Sequence, residues 1–312
     1  MSDSAIQNES KIVVIVVNYN GFDDTVACLE SLQLTGYDNF QIIVVDNASK
    51  INPLLELMRR FPDVIYLRSE KNLGFTGGNN LGLKKAYALK PKYIFLLNND
   101  TVVSKNILSE LYSFMENNPK MGLIGPLNYY FDKKNIIAFS GANLNRNNGM
   151  MTFLYSDKKL SDIKERIISC SFIIGAAMFI RADLIEQIGG LYNDYFLTSE
   201  ESELCIKVAD LGYQLAVITS CCIWHKVSMT MGSESEISNY YIFRNKLWFI
   251  KRNAIKITLK DIFQLAKYIV ICLLSFLIKK RKFSAAKGIL AGIYDFFMGV
   301  KGPGRFKNRL NA

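Results

Sequence analysis

Histidine, tryptophan and paired cysteines are what this chain has least of: its 312 residues include one histidine, two tryptophans, six prolines and six cysteines. The cysteines, at positions 28, 170, 205, 221, 222 and 272, are too few and too far apart for a disulfide framework, and no C-x-x-C pair offers a zinc site. The polar start MSDSAIQNES lacks the basic residues and apolar run of a signal peptide. A flexible lead-in over residues 1–10 and a reduced, cytoplasmic setting are expected. Neither a Walker A loop nor the G-x-G-x-x-G fingerprint occurs. Acidic residues are nearly missing from one region: residues 241–312 hold 16 Lys and Arg but only 2 Asp and Glu, whereas residues 1–240 hold 22 against 26. The net charge of +10 thus belongs to the last quarter alone, where it is interleaved with apolar runs. That pattern excludes a nucleic-acid partner, which would call for aromatic platforms beside the charge.

What is present is an alternating α/β pattern. Lys11–Val17 is a β-branched strand that ends at Asn18-Tyr19-Asn20-Gly21, with Asp23 and Asp24 placed to start a helix through Leu34. Gln41–Val45 is a second strand, closed by Asp46-Asn47, and Asn52-Pro53 signals the next helix. Val64–Leu67 is a third strand, the glycine-rich stretch Asn72–Gly82 leads into a helix to Lys90, and Tyr93–Leu97 is a fourth strand. Strands that are apolar throughout and separated by helices indicate a mostly parallel sheet covered on both faces.

In such sheets ligands sit beyond the C-terminal strand ends. The candidates there are Asn18 and Asn20, Asp46 and Asn47, the Gly77-Gly78-Asn79 region, and Asn98-Asn99-Asp100. Asn, Asp and Gly also end strands simply because they turn chains, but four polar ends converging on one edge suit a nucleotide. A single carboxylate, Asp100, facing a diphosphate is a common way to hold Mg2+ or Mn2+, because phosphate and water oxygens complete the shell. His225 is either a satisfied histidine at the core edge or a further ligand of that metal. Thr198 to Cys205 crowds Glu200, Glu201 and Glu203 into the first turn of a helix, where they either complement the helix dipole or present a base to a hydroxyl.

Taken in order, VVNYNG, VVDNAS, NLGFTGGNN, LLNNDT, GAAMFIRADLIEQIGGLYNDYF, the glutamate-rich helix start and the late histidine resemble the family 2 glycosyltransferases with a GT-A fold, in particular a bacterial rhamnosyltransferase-like branch. The resemblance runs over about residues 11–250 and implies one catalytic domain there, followed by a basic, apolar helical region over 251–312. By resemblance, Asn18 and Asp46 touch the base or ribose of a dTDP- or UDP-linked sugar, with Asn20 and Asn99 on the same donor side. Gly77, Gly78 and Asn79 would shape the nucleotide pocket. Asp100 and His225 would hold Mn2+ or Mg2+, and Glu201 would be the base of an inverting transfer to a saccharide or lipid-linked saccharide. Gly175, Ala176, Asp194 and Glu200 would line the acceptor side, and Arg244 is a candidate for the diphosphate or the acceptor. The family's aspartates in the acid segment are glutamates here, so a weakened member that only binds nucleotide or glycan is the alternative; a nucleotidyltransferase is another.

Ile262–Ile278 is a run of 17 residues interrupted by Gln264 and Lys267 and followed by Lys279-Lys280-Arg281-Lys282. A spanning helix needs about 20 apolar residues, so an amphipathic helix lying on an anionic membrane surface is expected. Gly288–Val300 is a second such stretch; the alternative is that both pack on the catalytic domain or on a second subunit, with the charge merely solvated. The location implied is the cytoplasmic face of the inner membrane.

Overall fold

The computed structural model describes residues 12–226 and 234–307. The expected lead-in over 1–10 lies outside these. The chain opens with β1 (Ile12–Asn18), α1 (Phe22–Gln33), β2 (Phe40–Asp46), α2 (Leu54–Arg60), β3 (Ile65–Arg68), α3 (Gly74–Tyr87) and β4 (Tyr93–Asn98). The four strands are all parallel, in the spatial order β4-β1-β2-β3. Every residue from Ile12 to Val16 is fully buried, and alternate residues serve opposite faces. Val13, Ile15, Ile43 and Val45 join one core with Leu83 of α3, whereas Val14, Val16 and Val44 join the other with Leu29, Leu32 and Leu57. This two-sided burial explains why the strands lack polar alternation.

Beyond β4 the sheet becomes mixed. After β5 (Thr101–Val103) and α4 (Ile107–Asn117), β6 (Met121–Tyr130) continues the sheet. The short strands β7 (Ile137–Phe139), β8 (Ala142–Leu144), β9 (Met151–Phe153) and β10 (Ile167–Cys170) follow, with β8 and β9 forming a separate hairpin. β11 (Ala177–Arg181) pairs antiparallel with both β4 and β6. After α5 (Ala182–Ile188) and α6 (Glu200–Asp210), β12 (Gln214–His225) runs parallel to β6 and antiparallel to β5. The β5–β12 pairing sets His225 opposite Thr101, and so beside the end of β4.

One element differs from expectation in kind. The glycine-rich stretch is not a loop before a helix; α3 starts at Gly74, so Gly77, Gly78 and Gly82 are helical. The reason is close packing: a Cβ on Gly78 would come within 2.8 Å of Val17 Cγ1, and one on Gly82 within 2.5 Å of Ile15 Cγ2. The glycines let α3 press onto the sheet at a cost in intrinsic helix propensity of about 1 kcal/mol each.

The C-terminal region consists of α7 (Glu236–Asn253), α8 (Leu259–Leu274) and α9 (Phe283–Phe297). α9 carries Gly288 and Gly292 against the backbone of α7, and a Cβ on Gly292 would lie 2.5 Å from the Tyr240 carbonyl oxygen. The second apolar stretch is therefore docked on protein along one side. α8 continues as a helix to Lys279, giving 21 residues that are long and apolar enough to cross a membrane, against the shorter run expected from sequence. Most of it is exposed, including Leu259 at 86% and Ile278 at 70%.

Candidate functional site

A cavity of about 340 Å³ opens at the C-terminal ends of β1, β2 and β4. Val17 and Tyr19, Asn47, Asn72 with Gly74 and Phe75, and Asn98 to Asp100 form its walls on the sheet side. Phe196, Leu197, Ser235 and Ile237 close it from the other side.

Asn18 and Asp46, expected at its surface, are instead fully buried beneath it. The Asn18 amide donates to Asp46 Oδ1 at 2.9 Å and to Ser49 Oγ at 3.1 Å, while its carbonyl oxygen accepts from Gly21 N and Thr25 Oγ1. The other oxygen of Asp46 is held by Arg68 at 2.6 Å. Their partners are thus used up in tying the strand ends together, and the neighbouring Tyr19 and Asn47 face the cavity in their place. Asn20, with φ at +55°, accepts from Lys50 N and lines a separate cavity of about 600 Å³ with Asn18 and Ser49. Asn99 does line the main cavity, and its amide is anchored on Thr25 Oγ1 at 3.0 Å. Gly78 and Asn79 sit behind the cavity's lining residues: Gly78 packs on Val17 and the Asn79 amide donates to the Phe75 carbonyl. Gly77 lines another cavity, on the outer face of α3.

Asp100 and His225, distant in sequence, meet at the rim. His225 Nε2 is 3.2 Å from Asp100 Oδ1, and that oxygen is buried without a hydrogen-bond partner. Two ligands set at right angles about 2.1 Å from one Mg2+ or Mn2+ stand about 3 Å apart. An orphaned carboxylate oxygen at that separation from an imidazole nitrogen therefore fits a shared cation. No three His, Cys, Asp or Glu side chains converge among the described residues, so phosphate and water would have to complete the shell.

The three glutamates divide into two roles. Glu203 is 2% exposed and accepts from Tyr195 Oη at 2.6 Å and from Arg252 Nη2 at 2.7 Å, which locks α6 to α7 and holds its pKa below the usual carboxylate value. Glu200 and Glu201 form a pair without a cation. Burial first, then the charge of Glu201, raises the pKa of Glu200 well above normal; burial also raises that of Glu201, against the hydrogen bond it accepts from Glu200. Burial thus favours the protonated form of both side chains, and of Glu200 the more strongly. Oε2 of each has no partner. A Cβ on Gly175 would touch both Phe75, at 3.4 Å, and Glu201 Cβ, at 3.8 Å, which puts Glu201 next to a wall residue of the cavity.

Backbone strain delivers this pair. Phe196, Thr198 and Ser199 all have φ between +67° and +74°, conformations that cost non-glycine residues of order 1 kcal/mol or more each. The Asn245 amide pins the segment by donating to the carbonyls of Tyr195, Leu197 and Thr198 at 2.9, 2.7 and 3.1 Å.

Several residues assigned to the acceptor side lie elsewhere. The Ala176 side chain is in the core, and its carbonyl accepts from Asn98 N. Asp194 pairs with Lys301 at 2.8 Å and accepts Gly302 N on its carbonyl, so it fastens the segment after α9. Arg244 is fully buried, donating to Asn245 Oδ1, Tyr240 Oη and the carbonyls of Tyr195 and Gly302. It is a joint between α7, the strained loop and the chain terminus, and its nitrogens are fully used there.

Asn47 was among the strand-end candidates, whereas Tyr19, Phe75 and Asn245 went unnoticed in the sequence. Tyr19 was detectable, because in a strand with period two a buried Asn18 sends its neighbour to the opposite face. Asn245 carries no local signal.

A family model for glycosyl transferase family 2 matches residues 13–189. The low-salt glycan biosynthesis hexosyltransferase Agl10 of Haloferax volcanii is 25% identical over 248 residues, covering 78% of this chain and 75% of that protein. Three rickettsial glycosyltransferases also match, but the chain spans only 16–18% of their length. Among solved structures, S. aureus TarS (residues 1–349) aligns with a TM-score of 0.57 at 15% identity over 93% of this chain and 81% of that one. The mannosyltransferase PcManGT from Pyrobaculum calidifontis, in complex with GDP-Man and Mn2+, aligns with a TM-score of 0.56 at 13% identity over 93% and 87%. Likeness at that identity speaks for the fold.

Proposed function

The chain belongs to glycosyl transferase family 2 and is a glycosyltransferase, and on that premise we propose that it moves a sugar from a nucleoside diphosphate sugar to an acceptor hydroxyl with inversion, using Glu201 as base. The observation that carries this reading is the unpartnered, buried carboxylate oxygen Glu201 Oε2, on a residue packed with the wall residue Phe75 around Gly175, beside a cavity that also holds Asp100. Tyr19 and Asn47 bind and orient the nucleotide, and Asp100 with His225 holds the cation. Mn2+ or Mg2+, when bound, supplies positive charge to the diphosphate leaving group. Glu201 takes the proton of the attacking hydroxyl, and Glu200, carrying the shared proton, keeps Glu201 ionised by donating to it. The hydroxyl displaces the diphosphate in line, so the anomeric centre inverts in one step and no second carboxylate nucleophile is needed.

The exposed apolar face of α8 and the basic excess of the C-terminal quarter support a place on an anionic membrane surface, at its cytoplasmic face, where a lipid-linked acceptor would be at hand. Co-sedimentation with anionic vesicles but not with neutral ones tests this. The transfer itself is tested with a panel of dTDP-rhamnose, UDP-hexoses and GDP-sugars in Mn2+ or Mg2+, scored by release of nucleoside diphosphate. The reading expects one donor to be turned over or slowly hydrolysed; silence across the panel defeats it.

A further inference from the structure

A second cavity, of about 490 Å³, lies between the outer face of α3 and the segment that follows α9. Lys71, Lys84 and Lys307 line it together with Asn72, Asn80 and Asn193, and no carboxylate does among the described residues. Asn72 and Phe196 line the donor cavity as well, so the two spaces share a wall.

The charge here is not the ordinary surface balance of the region. Around this cavity the basic side chains that have a structural task are paired: Lys301 with Asp194, and Arg305 with Asp295. Lys71 and Lys84 have no ion-pair partner among the described residues. Cations gathered around a concave site give it a positive field, and lysine is a common point-charge partner for phosphate. The volume exceeds what a lone phosphate needs and fits a phosphorylated sugar or polyol unit.

We propose that this cavity is a subsite for a phosphate group of the acceptor, held across the Asn72–Phe196 wall from the donor. The inference rests on the transferase reading for the word acceptor, but its binding chemistry is independent of it. Two sources share that chemistry: a phosphodiester within a glycan or polyol chain, and the diphosphate that joins a glycan to a lipid carrier.

The test titrates glycerol 3-phosphate, for the first source, and geranyl diphosphate, for the second, into the full-length protein. Divalent metal is kept out, so that the donor site does not compete. Wild type and Lys71→Gln/Lys84→Gln are compared by calorimetry, with Asp100→Asn as the donor-site control. At least one probe is expected to bind, at least tenfold more weakly in the double variant and within twofold of wild type in Asp100→Asn, with affinity falling as salt rises. The probe that binds identifies the source. No binding of either probe, or equal affinity in wild type and the double variant, overturns the subsite. A silent donor panel with lysine-dependent phosphate binding intact would instead remove the transferase reading and leave the site.

Discussion

Replacing Arg244 by methionine separates a structural joint from a ligand of the diphosphate. The substitution keeps most of the buried volume and removes the charge with its donors. The Tyr195 carbonyl keeps its bond from Asn245, and Tyr240 Oη keeps Asp295, so Gly302 O and Asn245 Oδ1 are the acceptors that lose Arg244 without a substitute. Each orphaned buried oxygen costs about 1–3 kcal/mol. The two cation–π contacts, with the guanidinium 5.0 Å from the rings of Tyr240 and Tyr241, are lost as well, at about 0.5–2 kcal/mol each. A total of at least about 3 kcal/mol lowers the melting temperature of a domain of this size by about 6 °C or more. Differential scanning fluorimetry reads that shift, and nucleotide affinity measured well below the transition should stay within about threefold. An unchanged melting temperature with nucleotide or acceptor affinity reduced tenfold would refute the joint and restore Arg244 to the binding site.

Other outcomes follow from the same contacts. In the folded state Glu200 has a pKa raised above the ordinary 4.5, so its contribution to stability is whole below about pH 4.5 and is lost as pH rises toward the folded value. Glu200→Gln should therefore melt at a temperature that gains on wild type between pH 5 and pH 8; a difference independent of pH contradicts the shared proton. Gly292→Leu should part α9 from α7 and cost several degrees of melting temperature, whereas Leu290→Ala, on the exposed face of α9, should change it by less than a degree or two. Asp100→Asn and His225→Ala should each abolish the Mn2+-dependent part of nucleotide binding, seen by titration with and without chelator, while the metal-free affinity stays as in wild type.

The parts of the fold that were legible in sequence are those where composition alone carries the message. Runs such as Ile12–Val17 and Tyr93–Leu97 are apolar on both faces, and only a sheet covered on both sides explains that. Direction was harder. Asn18 and Asp46 end their strands as expected, yet point inward, because each supplies hydrogen bonds that tie β1 to β2. The glycines of α3 look like a phosphate loop in sequence, and it takes Val17 and Ile15 on the facing strand to show that they serve packing. Arg244 and Asn245 hold the Tyr195–Thr198 loop and the turn at Gly302; contacts between segments so distant in the chain leave no local pattern. The apolar Gly288–Val300 stretch carried two meanings at once, since its glycine side docks on α7 while Leu290, Tyr294 and Phe297 remain outside.

The most direct measurement on the central claim is single-turnover transfer by Glu201→Gln at saturating donor and metal. Loss of a general base is worth about 10²–10⁴-fold, so the account predicts a rate reduced at least a hundredfold with nucleoside diphosphate affinity within twofold of wild type, while Glu203→Gln loses stability before chemistry. Transfer by Glu201→Gln at the wild-type rate would contradict it.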